Sequence, residues 1–293
     1  GGGVVAAEFS HVFSALGAQV YQVVRSNRIL REVDKEVVDR FIEAASHQWN
    51  ILLERSLVEI RENGDGTVTV VIEHDGQVEE IVADIVLAAT GRRSNSDTLK
   101  ASSFFDVDSR GFIGTDKYQR VLYNGSPVPG VFALGDVSSP FQLKHVANHE
   151  ARTVQHNLSH PDSFVASDHR FVPAAVFSNP QIATVGLSEE NARKLGEREG
   201  FKVTVKSQNY GDTAYGWAME DSVGLAKLIA RKDTGQLLGA HLVGEEASVL
   251  IQPLIQAMSF GLGVKDMARG QYWIHPALTE VIENALLGLD VDN

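Results

Sequence analysis

The sequence predicts an α/β fold followed by a C-terminal α+β domain. Three observations support this prediction. A glycine-rich turn opens the chain and leads into an amphipathic helix and an apolar strand, a short apolar strand ends in Gly135-Asp136, and strands alternate with helices after about residue 168. The expected domains are residues 1–92, 93–165 and 166–293.

The composition is that of a globular protein and argues against several functions. The chain has 293 residues, 43% of them hydrophobic, and a formal net charge of -12. This acidity argues against binding to nucleic acid or to an anionic membrane, and no apolar run approaches the roughly 18 residues of a membrane span. Because these residues include no cysteine, they offer no disulfide framework and no cysteine-ligated metal, and we expect no metal site.

The opening residues, GGGVVAAEF, contain the pattern G-x-G-x-x-A at Gly1, Gly3 and Ala6. In a dinucleotide-binding turn the first glycine permits a tight bend, the second lets the backbone approach the pyrophosphate, and a small third residue allows helix and strand to pack closely. The N–H groups at the start of the helix then face the phosphates. Taken alone, the same glycines would also fit a flexible terminal segment.

A helix and a strand after the glycines favour the nucleotide-binding interpretation. Apolar residues recur at helical spacing: Val5, Phe9, Val12 and Leu16. This spacing predicts a helix over residues 3–17, ended by Gly17, and the next segment, AQVYQVVR, is predicted to be a buried strand.

Three arginines follow this strand: Arg25, Arg28 and Arg31. A site for NAD usually has an acidic residue here to bind the ribose, whereas a site for NADP has arginine for the 2′-phosphate. A planar guanidinium binds a phosphate with two hydrogen bonds. We therefore predict that Arg25 and Arg31 select NADPH, the alternative being a solvated basic loop.

The segment after the arginines contains a predicted hairpin and a predicted strand. Residues 67–83 alternate in polarity about an Asp75-Gly76 turn, which is typical of a hairpin. The next apolar run is predicted to form a short buried strand that ends in Thr90-Gly91, where the chain would cross to the next domain.

Residues 131–134 are a second predicted strand, which ends at Gly135-Asp136, and a helix is predicted from about Leu143. In open α/β sheets ligands bind in the crevice beyond the strand ends. The Asp136 carboxylate can therefore accept a hydrogen bond from a sugar-like hydroxyl. A Gly-Asp turn that only caps the strand fits these residues equally well.

The C-terminal domain is predicted from strand and helix signals after about residue 168. The segment FKVTVKSQNY is a predicted strand, and residues 224–244 are a predicted hairpin that turns at residues 233–235. Ser188 is placed to cap a helix, and another helix is predicted over SVLIQPLIQAMSFGLG despite Pro253.

His275 is followed by Pro276, which restricts the backbone of the histidine to extended conformations, and Glu280 begins a predicted helix five residues later. A general acid–base needs a carboxylate that orients the imidazole ring and raises the basicity of its other nitrogen. A single histidine is more often structural, so this assignment depends on the nearby carboxylate.

Five segments occur in the order found in one family of flavoproteins: GGGVVAAEFSHVFSALG, LAATGR, GVFALGDVSS, FSNPQIATVGLSEE and WIHPALTEVIENAL. From Gly1 to about Leu289 the chain resembles the FAD-dependent pyridine nucleotide–disulfide oxidoreductases. The resemblance implies a Rossmann-like NADP domain, the remainder of an FAD domain that is split in sequence, and a C-terminal dimerisation domain. It also implies that the first FAD-binding loop and a redox-active C-x-x-x-x-C pair lie ahead of Gly1.

The resemblance implies cofactor contacts at several positions: Gly91, Gly135, Asp136, Leu143, Lys144 and His145. Asp136 would bind the ribityl chain of FAD, and the three residues from Leu143 would lie beside the flavin ring. Glu8 matches an acidic residue that pairs with a lysine near the flavin. The alternative for Glu8 is an acid in the first helical turn, where the helix dipole favours it.

The resemblance also implies a homodimer, located in the cytoplasm, in which each active site is built from both subunits. His275, with Glu280, would protonate the departing thiol of the other subunit and help to keep the attacking cysteine as a thiolate. The cofactors would be FAD and NADPH, and the substrate would be a small-molecule disulfide.

Several functions remain open within this resemblance. Arg25 and Arg31 argue against the NAD-specific lipoamide dehydrogenases, and His275 with Glu280 argues against the mercuric reductases, which lack that pair. We therefore expect an NADPH-dependent reductase of a low-molecular-weight disulfide. The alternatives are a glutathione-reductase-like enzyme, a disulfide-independent reductase such as a transhydrogenase, and a non-catalytic dimerising fragment.

Overall fold

The computed structural model of the protein describes residues 1–292. Its internal contacts form two units, one made of residues 1–90 together with the chain from Pro173 onward, and the other made of Gly91–Val172. The expected division at residues 92 and 165 stays a prediction. In the described part of the chain, no helix is both long and apolar enough to span a membrane.

The first part of unit 1 is a β-α-β arrangement. Helix α1 (Val4–Ala15) leads to strand β1 (Tyr21–Val23), and helix α2 (Lys35–Ala45) connects β1 to strand β2 (Asn50–Leu52), which pairs with β1 in parallel. The predicted first helix is confirmed. The strand predicted over AQVYQVVR is shorter than expected, because only three of its residues find a paired neighbour.

Small side chains, rather than the apolar stripe, attach α1 to the core. The buried residues of the helix are Ala6, Ala7 and Ser10, whereas Phe9 is 43% exposed and Leu16 is 79% exposed. Small residues allow the helix axis to approach β1 closely, as the G-x-G-x-x-A pattern requires.

An antiparallel three-stranded sheet follows, with β3 (Ser56–Glu62), β4 (Val68–His74) and β5 (Gln77–Ala83). The predicted turn between β4 and β5 is confirmed. Asp75 and Gly76 both have positive φ, 49° and 78°, as a two-residue hairpin of this hand requires.

The buried strand predicted between β5 and Gly91 is wrong. Residues 84–90 form no strand, and Ile85 and Leu87 are 85% and 53% exposed. A strand needs a neighbour to receive its backbone hydrogen bonds, and within residues 1–292 no other strand pairs with this run.

Unit 2 contains an antiparallel hairpin and a long helix. Strands β6 (Arg120–Tyr123) and β7 (Ser126–Phe132) form the hairpin, and helix α3 spans Lys144–Ser159. The strand predicted at residues 131–134 therefore ends earlier, and a turn of 3₁₀ helix at Gly135–Val137 follows it. The helix begins where it is predicted, with Leu143 at its N-cap.

The last part of unit 1 is an antiparallel five-stranded sheet with helices around it. In spatial order its strands are β10 (Val203–Asn209), β11 (Leu225–Arg231), β12 (Leu237–Gly244), β9 (Gln181–Gly186) and β8 (Ala174–Val176). Its helices are α4 (Glu189–Glu199), α5 (Ala214–Ala218), α6 (Ala247–Leu250), α7 (Gln252–Phe260), α8 (Val264–Arg269) and α9 (Glu280–Leu287).

The local predictions for this part are confirmed with one correction. Ser188 caps α4, and the β11–β12 hairpin turns at residues 233–235. The single helix predicted through Pro253 is divided into α6 and α7, and this proline lies in the first turn of α7, where its missing N–H is tolerated.

One hydrophobic core joins the two parts of unit 1. Val37 and Phe41 of α2 are fully buried in the same cluster as Leu225 of β11 and Val243 of β12. Helix α2, which follows the arginine segment, therefore packs on the C-terminal sheet.

Candidate active site

The glycine-rich turn is held against β1 and leaves the start of α1 open. The Gly1 nitrogen donates a hydrogen bond to the Val23 carbonyl oxygen at 2.8 Å, and a Cβ atom at Gly1 would lie only 2.1 Å from the Ala89 carbonyl oxygen. A Cβ at Gly3 would meet nothing within 4 Å, and no side chain caps α1 among the described residues. The turn can therefore accept a phosphate group at the helix start.

The arginine segment, residues 25–31, is anchored beside this turn. The Leu30 N–H donates to the Gly2 carbonyl oxygen at 2.8 Å, with Leu30 at a φ of 47°. Ile29 and Leu30 are buried in the core. Their burial and this hydrogen bond fix the backbone of the segment, which carries the arginines to the surface.

The three arginines divide into two roles. The Arg28 guanidinium donates to the Arg31 carbonyl oxygen at 2.5 Å, so Arg28 stabilises the segment itself. Arg25 and Arg31 are exposed, and in the described structure neither guanidinium has a hydrogen bond or an ion pair. The two arginines that the sequence favours are therefore those that can receive a phosphate.

Glu8 does not lie in the first turn of α1, where an acidic side chain would interact favourably with the helix dipole. Helix α1 begins at Val4, which places Glu8 in the second turn, and the first turn contains no acidic residue. The alternative interpretation of Glu8 as a first-turn acid is therefore wrong. Its Oε1 accepts a hydrogen bond from the Phe177 N–H at 2.9 Å, which ties α1 to the segment after β8.

The Gly135-Asp136 turn of unit 2 presents a carboxylate. Gly135 has a φ of 69°, a left-handed conformation that glycine adopts without strain. The Asp136 Oδ2 atom lies 3.3 Å from the Arg92 Nη1 atom, and both side chains are more than half exposed. Gly91, next to Arg92, has a φ of 141° and open space where a Cβ would be.

The residues predicted to lie beside the flavin form the start of α3. Leu143 is half-buried at the N-cap, and Lys144 and His145 are exposed in the first turn. No side chain caps this helix end among the residues described.

His275 and Glu280, which the sequence predicts to act as an acid–base pair, are in direct contact. The His275 Nδ1 atom lies 2.8 Å from Glu280 Oε1, and Glu280 Oε2 accepts the Ala277 N–H at 3.3 Å. The hydrogen bond from His275 lowers the pKa of the Glu280 carboxyl, so the carboxylate is charged near neutral pH. The other ring nitrogen, Nε2, makes no hydrogen bond within residues 1–292, and the His275 side chain is 68% exposed.

The loop that carries His275 is fixed on both sides. Before the histidine, the Trp273 Nε1–H donates to the Ala268 carbonyl oxygen at 3.0 Å, and after it the Ala277 N–H donates to Glu280 Oε2 at 3.3 Å. The imidazole is therefore held between α8 and the start of α9 with one nitrogen oriented by a carboxylate, which is the geometry of a general acid–base.

Comparison with known proteins assigns the family. Residues 1–151 match the family described as pyridine nucleotide-disulphide oxidoreductase, and residues 172–286 match the dimerisation domain of the same family. The chain belongs to the pyridine nucleotide-disulphide oxidoreductases. Membership implies use of a flavin and of a nicotinamide nucleotide, and it confirms the predicted fold class and family.

Relatives and solved structures agree with this family. The chain is 53% identical over 294 residues to mycothione reductase of Mycobacterium tuberculosis, covering 99% of this chain and 61% of that protein. It is 31% identical over 290 residues to dihydrolipoyl dehydrogenase of Synechocystis, covering 97% of this chain and 60% of that protein. The chain thus spans about three fifths of the length of these relatives.

The fold resembles the HOCl-induced flavoprotein disulfide reductase RclA from Escherichia coli. The TM-score is 0.84 at 24% identity, over 98% of this chain and 63% of that one. The LpdA structure from Mycobacterium tuberculosis gives a TM-score of 0.82 at 22% identity, over 97% of this chain and 59% of that one. These two similarities concern the fold alone.

Sequence reasoning missed the residues that support the Gly135-Asp136 turn in this oxidoreductase. The fully buried Glu150 accepts the Gly135 N–H through Oε2 at 2.6 Å, and its Oε1 lies 3.0 Å from His169 Nε2. Glu150 follows the turn by 15 residues, on the buried face of α3. The role of Glu150 could have been predicted from its place among the core positions of a helix, because a buried carboxylate needs hydrogen-bond partners.

Proposed function

We propose that this chain forms part of an NADPH-dependent flavoprotein that reduces the disulfide mycothione to mycothiol. The observation that carries the reaction class is the 2.8 Å contact between His275 Nδ1 and Glu280 Oε1, in a chain of the disulphide oxidoreductase family. The 53% identity to a mycothione reductase supports the substrate.

The nucleotide site is proposed at the glycine-rich turn and the arginine segment. Gly1 and Gly3 leave room for the pyrophosphate at the start of α1, and Arg25 and Arg31 bind the 2′-phosphate. A flexible polypeptide would need to order these arginines on binding, whereas here the backbone is already fixed by buried neighbours. This arrangement favours NADPH over NADH.

The flavin site is proposed at the Gly135-Asp136 turn and the start of α3. Asp136 would hold the ribityl chain of FAD through its carboxylate, and Leu143, Lys144 and His145 would hold the flavin ring. FAD held at this site would supply the redox chemistry that couples oxidation of NADPH to reduction of a disulfide. Gly91 is the remaining residue of unit 2 proposed to contact FAD. For Glu8, in unit 1, the proposal is the pairing with a lysine that the resemblance implies.

We propose that His275 transfers the proton during thiol–disulfide exchange. With Nδ1–H donated to Glu280, the Nε2 atom can accept a proton from an attacking thiol and return it to the thiolate that leaves. The thiolate is the nucleophile in thiol–disulfide exchange, so a base beside it raises the reactive fraction. We propose that these thiols belong to a second subunit of a cytoplasmic homodimer.

The substrate assignment has an alternative. That alternative is glutathione disulfide, and the 53% identity to a mycothione reductase supports mycothione instead. The segments LKHVANHEARTVQHNL, YGDTAYGWAMED and ARGQYWIHPALTE also resemble mycothione reductase.

A comparison of substrates tests the proposed function. The full-length enzyme is mixed with NADPH and either mycothione, glutathione disulfide or no disulfide, and NADPH oxidation is followed at its absorbance maximum. We expect flavin absorbance in the purified protein and rapid oxidation only with mycothione. Equal oxidation without disulfide would contradict the proposal and favour a disulfide-independent reductase, and a colourless, inactive protein would favour a dimerising fragment.

A further inference from the structure

A buried lysine gathers three carboxylates in unit 1. The Lys227 Nζ atom on β11 lies 3.0 Å from Asp34 Oδ1, 3.0 Å from Glu36 Oε2 and 2.7 Å from Glu189 Oε2. Lys227 is only 4% exposed and Asp34 only 2% exposed. These four residues, the Lys227 cluster, join the start of α2, the strand β11 and the start of α4.

Asp34 is the residue through which the three elements meet. Its Oδ1 atom accepts hydrogen bonds from the Glu36 N–H and from Lys227 Nζ, both at 3.0 Å, and its Oδ2 accepts the Glu189 N–H at 3.0 Å. The carboxylate is thus the N-cap of α2 and a partner of α4 at the same time. Three nitrogen atoms fix the position of the carboxylate from both sides.

The cluster is charged. Burial alone would raise the pKa of Asp34, but the Glu189 N–H and Lys227 lower it below its usual range. Burial alone would lower the pKa of Lys227, but its hydrogen bonds to Glu189, Asp34 and Glu36 raise it above its usual range. Buried charges that are paired in this way have strong orientational preferences, because any displacement leaves a charge without its partner.

The cluster lies directly after the arginine segment. Asp34 is three residues beyond Arg31, and between them the Val33 N–H donates to the Leu30 carbonyl oxygen at 2.9 Å. On the other side, Leu30 is tied to Gly2 of the glycine-rich turn at 2.8 Å. Both anchors lie near the C-terminal end of the arginine segment, where Leu30 joins it to the glycine-rich turn and Asp34 joins it to the C-terminal sheet.

We propose that the Lys227 cluster positions Arg25 and Arg31 for the 2′-phosphate, so that Asp34 and Lys227 are positioning residues for nucleotide selectivity. Lys227 does this from the C-terminal sheet, outside the predicted nucleotide-binding domain. This inference rests on the proposed use of NADPH. Two guanidinium groups bind one phosphate well only when both are held close to the productive geometry. A ligand without the 2′-phosphate does not depend on that geometry.

The test compares two small ligands that differ by the 2′-phosphate. Adenosine 2′,5′-bisphosphate and 5′-AMP are titrated by calorimetry into the full-length protein and into the variants Asp34→Asn and Lys227→Met. The amide in Asp34→Asn keeps the shape of the side chain and one acceptor oxygen, but it removes the charge and the second acceptor. The matched control is Lys232→Met. Lys232 directly follows β11, the strand that carries Lys227, and it pairs with Asp290.

We expect both cluster variants to bind the bisphosphate about tenfold more weakly and 5′-AMP within about twofold of the wild type, while the control changes neither. An unchanged preference for the bisphosphate in folded Asp34→Asn would overturn the inference, as would an equal loss for both ligands, which indicates a general structural role. If Lys227→Met does not fold, Asp34→Asn decides alone.

The same titrations separate this inference from the proposed function. A wild-type protein that binds the two ligands equally well would contradict the proposed NADPH preference, and the inference with it. A wild-type preference that persists in both cluster variants would contradict only the positioning role.

Discussion

Charge reversal at both exposed arginines, Arg25→Glu with Arg31→Glu, should abolish the proposed preference of the nucleotide site for NADPH. The two guanidinium groups have no hydrogen-bond or ion-pair partner in the described structure, so their replacement removes no internal contact. The whole effect should therefore appear in nucleotide binding, and the melting temperature should stay close to that of the wild type.

The size of the effect follows from the bonds that the phosphate loses. A hydrogen bond to a charged group contributes about 1.5–3 kcal/mol, so losing one such bond per arginine weakens binding by about 3–6 kcal/mol. Because both side chains are exposed and their charges are screened by solvent, the lower limit applies. At about 1.4 kcal/mol per tenfold, kcat/KM for NADPH should fall on the order of 100-fold, while that for NADH should change by less than about threefold.

The assay is steady-state oxidation of NADPH and of NADH by the full-length enzyme. The control is Arg61→Glu with Arg198→Glu, two exposed arginines of the same unit that lie outside the arginine segment and change the net charge equally. Equal losses with NADPH and NADH in the Arg25 and Arg31 variant would refute phosphate recognition. So would a matching loss in the control, which would indicate a long-range effect of net charge.

Three further results are expected. The Tyr210 hydroxyl is fully buried without a hydrogen-bond partner in residues 1–292, so Tyr210→Phe should raise the free energy of unfolding by about 1–2 kcal/mol in denaturant titrations. The control Tyr272→Phe changes a fully exposed side chain and should leave the free energy of unfolding unchanged. A loss of stability in Tyr210→Phe would contradict the prediction. Glu150→Gln should weaken the charge-assisted bond to the Gly135 N–H and release flavin roughly fivefold more readily on dilution, and flavin retention equal to the wild type would count against a supporting role. The Glu189 N–H and Lys227 lower the pKa of Asp34 against the effect of its burial, so the Asp34 carboxylate stabilises the fold above its unfolded pKa of about 3.9, and this contribution is lost as the pH falls through the folded value. The unfolding free energy, measured from pH 6 downward, should therefore fall less steeply in Asp34→Asn than in the wild type. Parallel curves for the two proteins would exclude this contribution.

Features set by neighbouring residues could be predicted from the sequence. The Asp75-Gly76 turn and the Ser188 cap depend on the conformational preferences of a few consecutive residues, and both occur as expected. The contact between His275 and Glu280 was predictable for the same reason, because the two residues are five positions apart at the start of a helix.

Features that depend on distant residues could not be predicted. Asp34 and Lys227 are 193 positions apart, and no periodicity links them. The apolar run at residues 84–90 has the composition of a buried strand, but strand formation also requires a paired neighbour, which a local pattern does not contain. The support of Gly135 by Glu150 is a tertiary contact of the same kind.

The acid–base role of His275 is tested most directly by separating the two halves of the reaction in Glu280→Gln. Stopped-flow absorbance gives the rate of flavin reduction by NADPH, and steady-state turnover gives the rate with mycothione. Gln keeps the shape of the side chain but removes the charge that orients the imidazole, so disulfide turnover should fall by about 10- to 100-fold while flavin reduction stays within about twofold. Equal rates for wild type and variant in both steps, or an equal loss in both, would show that the pair at His275 does not serve the disulfide.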